Sequence, residues 1–141
     1  MKKSRHKSSS QWRKPVIRHG RPTKYGWIVS HPQKFVLGRD TDIGAFSYLQ
    51  AEEGVEIGER SQVGSHCSIY SVSTIDGKRG RVTLGKNVRL GSHSVVMPGV
   101  TIGANAVVGA MTFVNRDIPA NSLAYGCPVR IVKKLNSPDS F

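Results

Sequence analysis

The sequence predicts an all-β fold: a three-sided parallel β-helix of about four coils, with a basic N-terminal arm and a short C-terminal cap. Aliphatic residues recur every six positions from Leu37 onward, and glycine directly follows most of them. A period of six fits neither an α-helix nor a long alternating strand. It fits a short strand with one inward side chain, followed by a turn where glycine can adopt a positive φ. The thirteen aliphatic positions are 37, 43, 49, 57, 63, 69, 75, 84, 90, 96, 102, 108 and 114.

Three such units make one triangular coil, so thirteen units give about four and a third coils. Stacked coils give each strand parallel neighbours above and below, and the aliphatic side chains then form internal columns. Two phase slips interrupt the series, from Leu49 to Ile57 and from Ile75 to Leu84, and they predict insertions of two and three residues. Both insertions are polar or glycine-rich, as surface loops are. The repeat therefore predicts a β-helix over residues 35–118, followed by a cap and tail over 119–141.

Most of the net charge of +12 lies at the N-terminus, because residues 1–34 hold ten Lys or Arg and no acidic residue. We interpret 1–34 as a loop-rich basic arm, disordered over residues 1–10 until it meets a partner, with one short strand at 27–29. Few aromatic residues accompany the basic ones, so specific nucleic-acid binding is not expected. Contact with an anionic surface and a purely solubilising role both stay open.

Other classes of protein are excluded by composition. No stretch approaches the ~18 apolar residues of a membrane helix, and the basic start lacks the apolar core of a secretory signal. We therefore expect a cytoplasmic protein. The two cysteines, Cys67 and Cys127, cannot form a disulfide framework and lack metal-finger spacing, so no metal is predicted. The cap is expected as a short strand or helix at 131–135 with Lys133 and Lys134 pointing outward, because an open last coil would leave an unpaired edge.

Residues 84–135 carry a recognisable motif, LGKNVRLGSHSVVMPGVTIGANAVVGA over 84–110, with DIP at 117–119 and YGCPVR at 125–130. This stretch closely resembles the hexapeptide-repeat acyltransferases, in particular the galactoside and maltose acetyltransferase branch and the acetyltransferases of nucleotide-linked or surface-glycan sugars. The resemblance implies a left-handed helix, a homotrimer with active sites in the clefts between subunits, and acetyl-CoA as co-substrate.

His93 matches the catalytic histidine of that family. Transfer of an acyl group from a thioester requires the attacking hydroxyl or amine to lose a proton, and a neutral imidazole suits that task near pH 7. His93 follows the inward Leu90 by three residues, which predicts a turn position facing outward. The same tripeptide, Gly-Ser-His, recurs at His66. After removal of the three-residue insertion, the spacing predicts that His66 and His93 lie on different edges of the prism, one coil apart. We expect His66 of one chain to line the cleft that holds His93 of the next and to contact the sugar.

The resemblance also implies where the donor binds. The turn that matches the family's pantetheine contacts contains Gly109 and Ala110, whose small side chains permit close backbone approach. A backbone N–H near Ser92 is a candidate to stabilise the negative oxygen of the transition state. The cations expected near the phosphates of CoA are Arg116, Arg130, Lys133 and Lys134.

The loop over residues 76–81 is expected to cover a neighbour's cleft. Lys78 and Arg79 suit a nucleotide diphosphate, and Asp76 could orient a histidine or bind an amino group. The acceptor-binding helical segment of the galactoside and maltose enzymes has no counterpart here, which favours an activated amino- or deoxysugar of surface-glycan synthesis. Only two histidines lie on the repeat, so the γ-type carbonic anhydrase, which needs three, is not favoured. A non-catalytic trimeric scaffold that binds partners through the basic arm is the alternative.

Overall fold

The computed structural model describes residues 11–136, so the disorder predicted for residues 1–10 lies outside the described part of the chain. Residues 11–136 form seventeen short strands and one 3-10 turn at Pro32–Lys34. In chain order the strands are β1 (Ile28–Ser30), β2 (Phe35–Leu37), β3 (Asp42–Ile43), β4 (Tyr48–Gln50), β5 (Val55–Ile57), β6 (Gln62–Val63), β7 (Ser68–Tyr70), β8 (Val72–Ser73), β9 (Lys78–Arg79), β10 (Val82–Leu84), β11 (Arg89–Leu90), β12 (Val95–Val96), β13 (Thr101–Ile102), β14 (Val107–Val108), β15 (Phe113–Val114), β16 (Ser122–Tyr125) and β17 (Arg130–Lys134).

Three sheets form the sides of a prism, and all their strands are parallel except the last strand of face C, β17. Face A has the order β1-β4-β7-β12-β15, face B has β13-β10-β5-β2, and face C has β17-β16-β14-β11-β6-β3. Successive strands of the chain visit the three faces in turn, so each coil contributes one strand to each side. The predicted three-sided parallel β-helix is confirmed. Five strands stack on face A, so the prism has about five coils rather than the predicted four and a third.

The core is the set of inward aliphatic columns that the repeat predicts. Eleven of the thirteen predicted positions are buried, and each face contributes a column. The two exceptions are Leu37, which is partly buried, and Ile75, which is 98% exposed. The prediction that Ile75 points inward is therefore wrong.

Ile75 lies instead in a hairpin formed by β8 and β9, which pair antiparallel. Ser68 pairs with Val95 in the next coil, a spacing of 27 residues, whereas Val95 pairs with Phe113, a spacing of 18. The hairpin thus makes the second insertion nine residues long (27 − 18) rather than three. It leaves the prism between faces A and B.

The first coil begins earlier than the expected boundary at residue 35. Strand β1 pairs in parallel with β4, and Val29 is fully buried. The short strand expected at 27–29 is therefore present one residue later, and it belongs to the prism rather than to the arm. Residues 11–27 cover the lower end of the prism, where Trp12 Nε1 donates to the carbonyl of Thr41 at 3.0 Å and Pro22 bridges Ile28.

The upper end is closed by β17, which pairs antiparallel with β16. Lys133 and Lys134 are exposed and Leu135 is buried, so the capping strand and its outward lysines are confirmed. Among residues 11–136, no helix is long and apolar enough to cross a membrane.

Candidate active site

The candidate site is built from a turn that repeats along one edge of the prism. The turns that join face C to face A, which we call the histidine edge, share one four-residue pattern: glycine, any residue, a residue with positive φ, then a small residue. The four turns are 44–47, 64–67, 91–94 and 109–112.

Each glycine of this edge permits the coil above to approach. A Cβ on Gly91 would lie 2.4 Å from the backbone N of Ala110, and one on Gly64 would lie 2.5 Å from that of Ser92. Real side-chain atoms do not reach such distances, so no larger residue fits without moving the neighbouring coil. The glycines therefore set the tight stacking of the turns that carry the histidines.

The third residue of each turn adopts the left-handed conformation and is exposed. The φ angles are 67° at Phe46, 59° at His66, 60° at His93 and 59° at Met111. The backbone N–H of each histidine donates to a carbonyl of the coil below, at 3.1 Å for His66 and 3.0 Å for His93. This conformation is uncommon for residues with a Cβ, and here the ladder of hydrogen bonds holds it. It presents both imidazoles at the surface, as expected for His93.

The last residue of each turn is buried, and in the three lower turns its side chain donates a hydrogen bond to the glycine carbonyl of the turn above. Cys67 Sγ donates to the carbonyl of Gly91 at 3.2 Å, and Ser94 Oγ donates to that of Gly109 at the same distance. Burial raises the pKa of the Cys67 thiol, and the backbone N–H groups of Ser94 and His93 partly offset that rise. Cys67 is therefore a structural thiol beneath the His93 turn.

His66 and His93 lie on the same edge of the same chain. Their imidazole rings stack with centroids 4.6 Å apart and 7° between planes, and Phe46 lies below His66 at 4.9 Å. The prediction of different edges is wrong because the insertion between the two histidines is nine residues long. Subtracting nine from their separation of 27 leaves 18, which is one whole coil.

A groove of about 470 Å³ runs along face C beside the histidine edge. Gly109 and Ala110, expected at the donor site, line it together with Gly64 and Gly91. Ser92 lies in the turn directly below Ala110, so the structure gathers His93 and three of the predicted donor residues at one edge.

The expected phosphate-binding cations are more scattered. Arg130 and Lys133 lie on β17, at the upper end of face C, and both are exposed. Arg116 follows β15 of face A and precedes Ile118, which bridges Ile102 on face B. Arg116 therefore lies on a different edge from the groove, and within one chain it is not brought to Gly109.

The hairpin residues Asp76, Lys78 and Arg79 also lie between faces A and B, away from His93 of the same chain. Arg79 is bound by the carboxylates of Glu52 and Glu53, each at 2.8 Å. Lys78 Nζ lies 3.8 Å from Asp76, whose pKa is lowered first by a hydrogen bond from the Ser73 side chain. The hairpin is thus anchored to the first insertion, and its charges are partly compensated.

Phe46 and Met111 flank the histidines along the edge, and the six-residue repeat alone does not predict their exposed positions. Both are strongly exposed, at 71% and 73%. The signal was present in the shared pattern of glycine two residues before them and a small residue, Ser47 or Thr112, directly after. Within residues 11–136, no three His, Cys, Asp or Glu side chains cluster as a metal site would require.

The sequence also resembles those of known proteins. Residues 81–116 match the family described as bacterial transferase hexapeptide (six repeats). A galactoside O-acetyltransferase of Lactococcus lactis is 44% identical over 125 residues, which cover 85% of this chain. The chain spans 56% of the length of that relative.

Two solved structures show the same architecture. A galactoside acetyltransferase in complex with coenzyme A has a TM-score of 0.73 at 29% identity, covering 78% of this chain and 60% of the other. A mutant of AntD, an N-acyltransferase from Bacillus cereus in complex with dTDP-4-amino-4,6-dideoxyglucose and coenzyme A, has a TM-score of 0.57 at 25% identity, covering 79% and 71%.

Proposed function

This chain resembles the hexapeptide-repeat acyltransferases in sequence and in fold, and we propose that it transfers an acetyl group from acetyl-CoA to a hydroxyl or amine of a sugar. The observation that carries the proposal is the position of His93. Its imidazole is exposed on a turn beside the face-C groove, and it lies within the matched residues 81–116.

His93 acts as the general base in this proposal. Its unprotonated ring nitrogen accepts the proton of the acceptor's hydroxyl or amine as the acceptor attacks the thioester carbonyl. The new bond joins the acceptor to the acetyl carbon, the carbon–sulfur bond breaks, and the proton held by His93 can return to the departing thiolate of CoA. A backbone N–H near Ser92 would stabilise the negative carbonyl oxygen on the way.

The donor follows the face-C groove. Its pantetheine would pass Gly109 and Ala110, where absent or small side chains leave the backbone accessible. Arg130 and Lys133 are on β17, two strands above β14 on the same face. This position suits them to bind the phosphates of CoA. Arg116 would reach this groove only from a neighbouring subunit.

The stacked arrangement adds a second role for His66. It is expected to contact the sugar in a neighbour's cleft, and it also supports His93 of its own chain from below. Two flat rings in contact restrict each other's rotation, so His66 is a positioning residue for the base. A contact between His66 and the acceptor remains compatible with its exposure.

A homotrimer would complete the site. The histidine edge exposes Phe46 and Met111, which are large apolar side chains of the kind that subunit contacts cover. The hairpin with Asp76 and Lys78 lies on another edge, so it would cover a cleft only in a neighbouring chain. Three clefts would then form, each with His93 of one subunit.

A nucleotide-activated amino- or deoxysugar of surface-glycan synthesis is our preferred acceptor. Support comes from the dTDP-aminosugar bound by AntD, whose fold this chain shares. Lys78 is the better of the two hairpin cations for a diphosphate, because Arg79 is already held by two carboxylates. We place the reaction in the cytoplasm. The basic residues of the N-terminal arm would contact an anionic surface.

The test is release of free CoA from acetyl-CoA in the presence of a panel of free and nucleotide-linked sugars, followed by mass spectrometry of the products. Acetylated product and thermal stabilisation by CoA are expected. A scaffold that uses the prism and the basic arm only to bind partners would give neither.

A further inference from the structure

A second cavity, which we call the basal pocket, lies at the lower end of the prism. Its volume is about 470 Å³, and residues 11–27 form one wall while the first coil forms the other. Six of the residues that line it have aromatic or charged side chains: Trp12, Arg13, Tyr25, Trp27, Asp40 and Asp42. We propose that the basal pocket binds a neutral saccharide.

Aromatic rings form much of the pocket wall. Tyr25 is 53% exposed, Trp12 is half-buried, and Trp27 forms a buried floor. Trp12 is fixed in place because its Nε1 donates to the carbonyl of Thr41. Sugar rings present apolar C–H faces that pack on such surfaces, whereas their hydroxyls need polar partners at the rim.

Asp40 provides one polar partner. It lines the pocket, and its Oδ1 is buried without a hydrogen-bond donor from any of the described residues. A carboxylate can only accept hydrogen bonds, and a buried acceptor left without a donor is costly. Because Asp40 lines the pocket, its carboxylate can accept a hydrogen bond from a ligand hydroxyl there.

Charge selects among ligands that could stack on aromatic rings. Asp40 and Asp42 bring two carboxylates to the pocket against one guanidinium, that of Arg13. Phosphate groups close to these carboxylates would be repelled, which disfavours a nucleotide and favours an uncharged ligand rich in hydroxyls.

The basal pocket adjoins the candidate active site. Asp42 lines both the basal pocket and the face-C groove. On face C, β3 lies two strands below β11, the level of the His93 turn, which is roughly 10 Å at a strand spacing of ~4.8 Å. This span exceeds one sugar ring. If the proposed function holds, the pocket takes a neutral sugar ring other than the one that is acetylated, and the diphosphate of a nucleotide-linked acceptor lies outside the pocket.

Ligand binding in the basal pocket can be followed by intrinsic tryptophan fluorescence, because the only two tryptophans of the sequence, Trp12 and Trp27, both line the pocket. The full chain is titrated with glucose, galactose, maltose and lactose while tryptophan emission is recorded. Saturable quenching or a spectral shift with at least one sugar is expected, and it should persist in His93→Ala. Uridine diphosphate serves as the anionic comparison.

Two variants keep both reporters and test the pocket. Tyr25→Ala and Asp40→Asn should each raise the dissociation constant about tenfold. Tyr125→Ala, a matched change of an exposed tyrosine at the upper end of face C, should not alter it. No response to any sugar, an equal response to uridine diphosphate, or unchanged affinity in both pocket variants would overturn the proposal. Binding without acetyl transfer would leave the pocket standing and remove the proposed function instead.

Discussion

The imidazoles of His66 and His93 lie parallel, one coil apart, with ring centroids 4.6 Å from each other. Both rings stand on left-handed turns whose backbone N–H groups are bound to the coil below. The stacking restricts the rotation of the His93 ring on the edge beside the groove. It also makes His66 part of the support of the proposed base.

Two replacements of His66 distinguish the effect of its ring stacking on His93 from the effect of its ring nitrogens. We expect His66→Ala to lower kcat about tenfold with little change in KM for the acceptor, because His93 loses its flat support. His66→Phe keeps a ring in the stack and should restore most of kcat. Steady-state kinetics of both variants, with circular dichroism as a check of folding, test this. If His66→Phe is as impaired as His66→Ala, the nitrogen atoms of His66 matter and the stacking account fails.

The two cysteines should differ sharply in reactivity. Cys127 is exposed, whereas Cys67 is buried, donates to the Gly91 carbonyl and has a raised pKa. Because thiolates are the reactive form, a thiol reagent at pH 8 should modify one cysteine quickly and the other only after unfolding. Peptide mass spectrometry identifies the modified residue. Rapid labelling of Cys67 in the native protein would contradict the packing described here.

The coil contact at Gly38 is predicted to tolerate no side chain. A Cβ there would lie 2.4 Å from the backbone N of Glu59, so Gly38→Ala should cost about 3 kcal/mol of unfolding free energy or more. The matched control is Gly77→Ala in the hairpin, where nothing lies within 4 Å and only the positive φ of 74° opposes alanine. That change should cost about 1 kcal/mol. Urea denaturation measures both, and equal losses would contradict the close approach.

The ion pairs of Arg79 with Glu52 and Glu53, which hold the hairpin to the first insertion, should weaken at low pH. A hydrogen bond from Arg79 is the main cause that lowers the pKa of Glu52. A lowered folded-state pKa means that the interaction stabilises the hairpin at neutral pH and is lost as pH falls through that folded-state pKa. Arg79→Met should return the pKa of Glu52 toward its ordinary value, as followed by NMR titration of the glutamate side chains. Lys78→Met is the control and should leave Glu52 unchanged; a shift of equal size there would refute the assignment.

Much of the fold was predictable because the repeat is local and regular. The inward positions such as Leu90, Val96 and Ile102 each follow from one spacing rule, and all three are buried as predicted. The first coil was harder to predict, because Trp27 and Val29 are joined to the repeat by a segment without the glycine signal.

The site was only half predictable, for a different reason. His93 was placed correctly on an outward turn, but its relation to His66 depends on counting coils across an insertion. Ile75 has the right spacing and an aliphatic side chain, so sequence alone could not distinguish it from a core position. The pairing of β8 with β9 removes it from the core, and Arg79 of that hairpin is also bound by Glu52 and Glu53 of the first insertion.

The most direct test of the account is the rate of acetyl transfer by His93→Gln, measured beside the wild type with Cys127→Ser in both to suppress background thiol. We expect the rate to fall by roughly 10²- to 10⁴-fold while CoA still raises the melting temperature, because in the proposed mechanism His93 supplies base catalysis and Gly109 and Ala110 hold the donor. Transfer within a few-fold of the wild-type rate would contradict the assignment of His93 as the base.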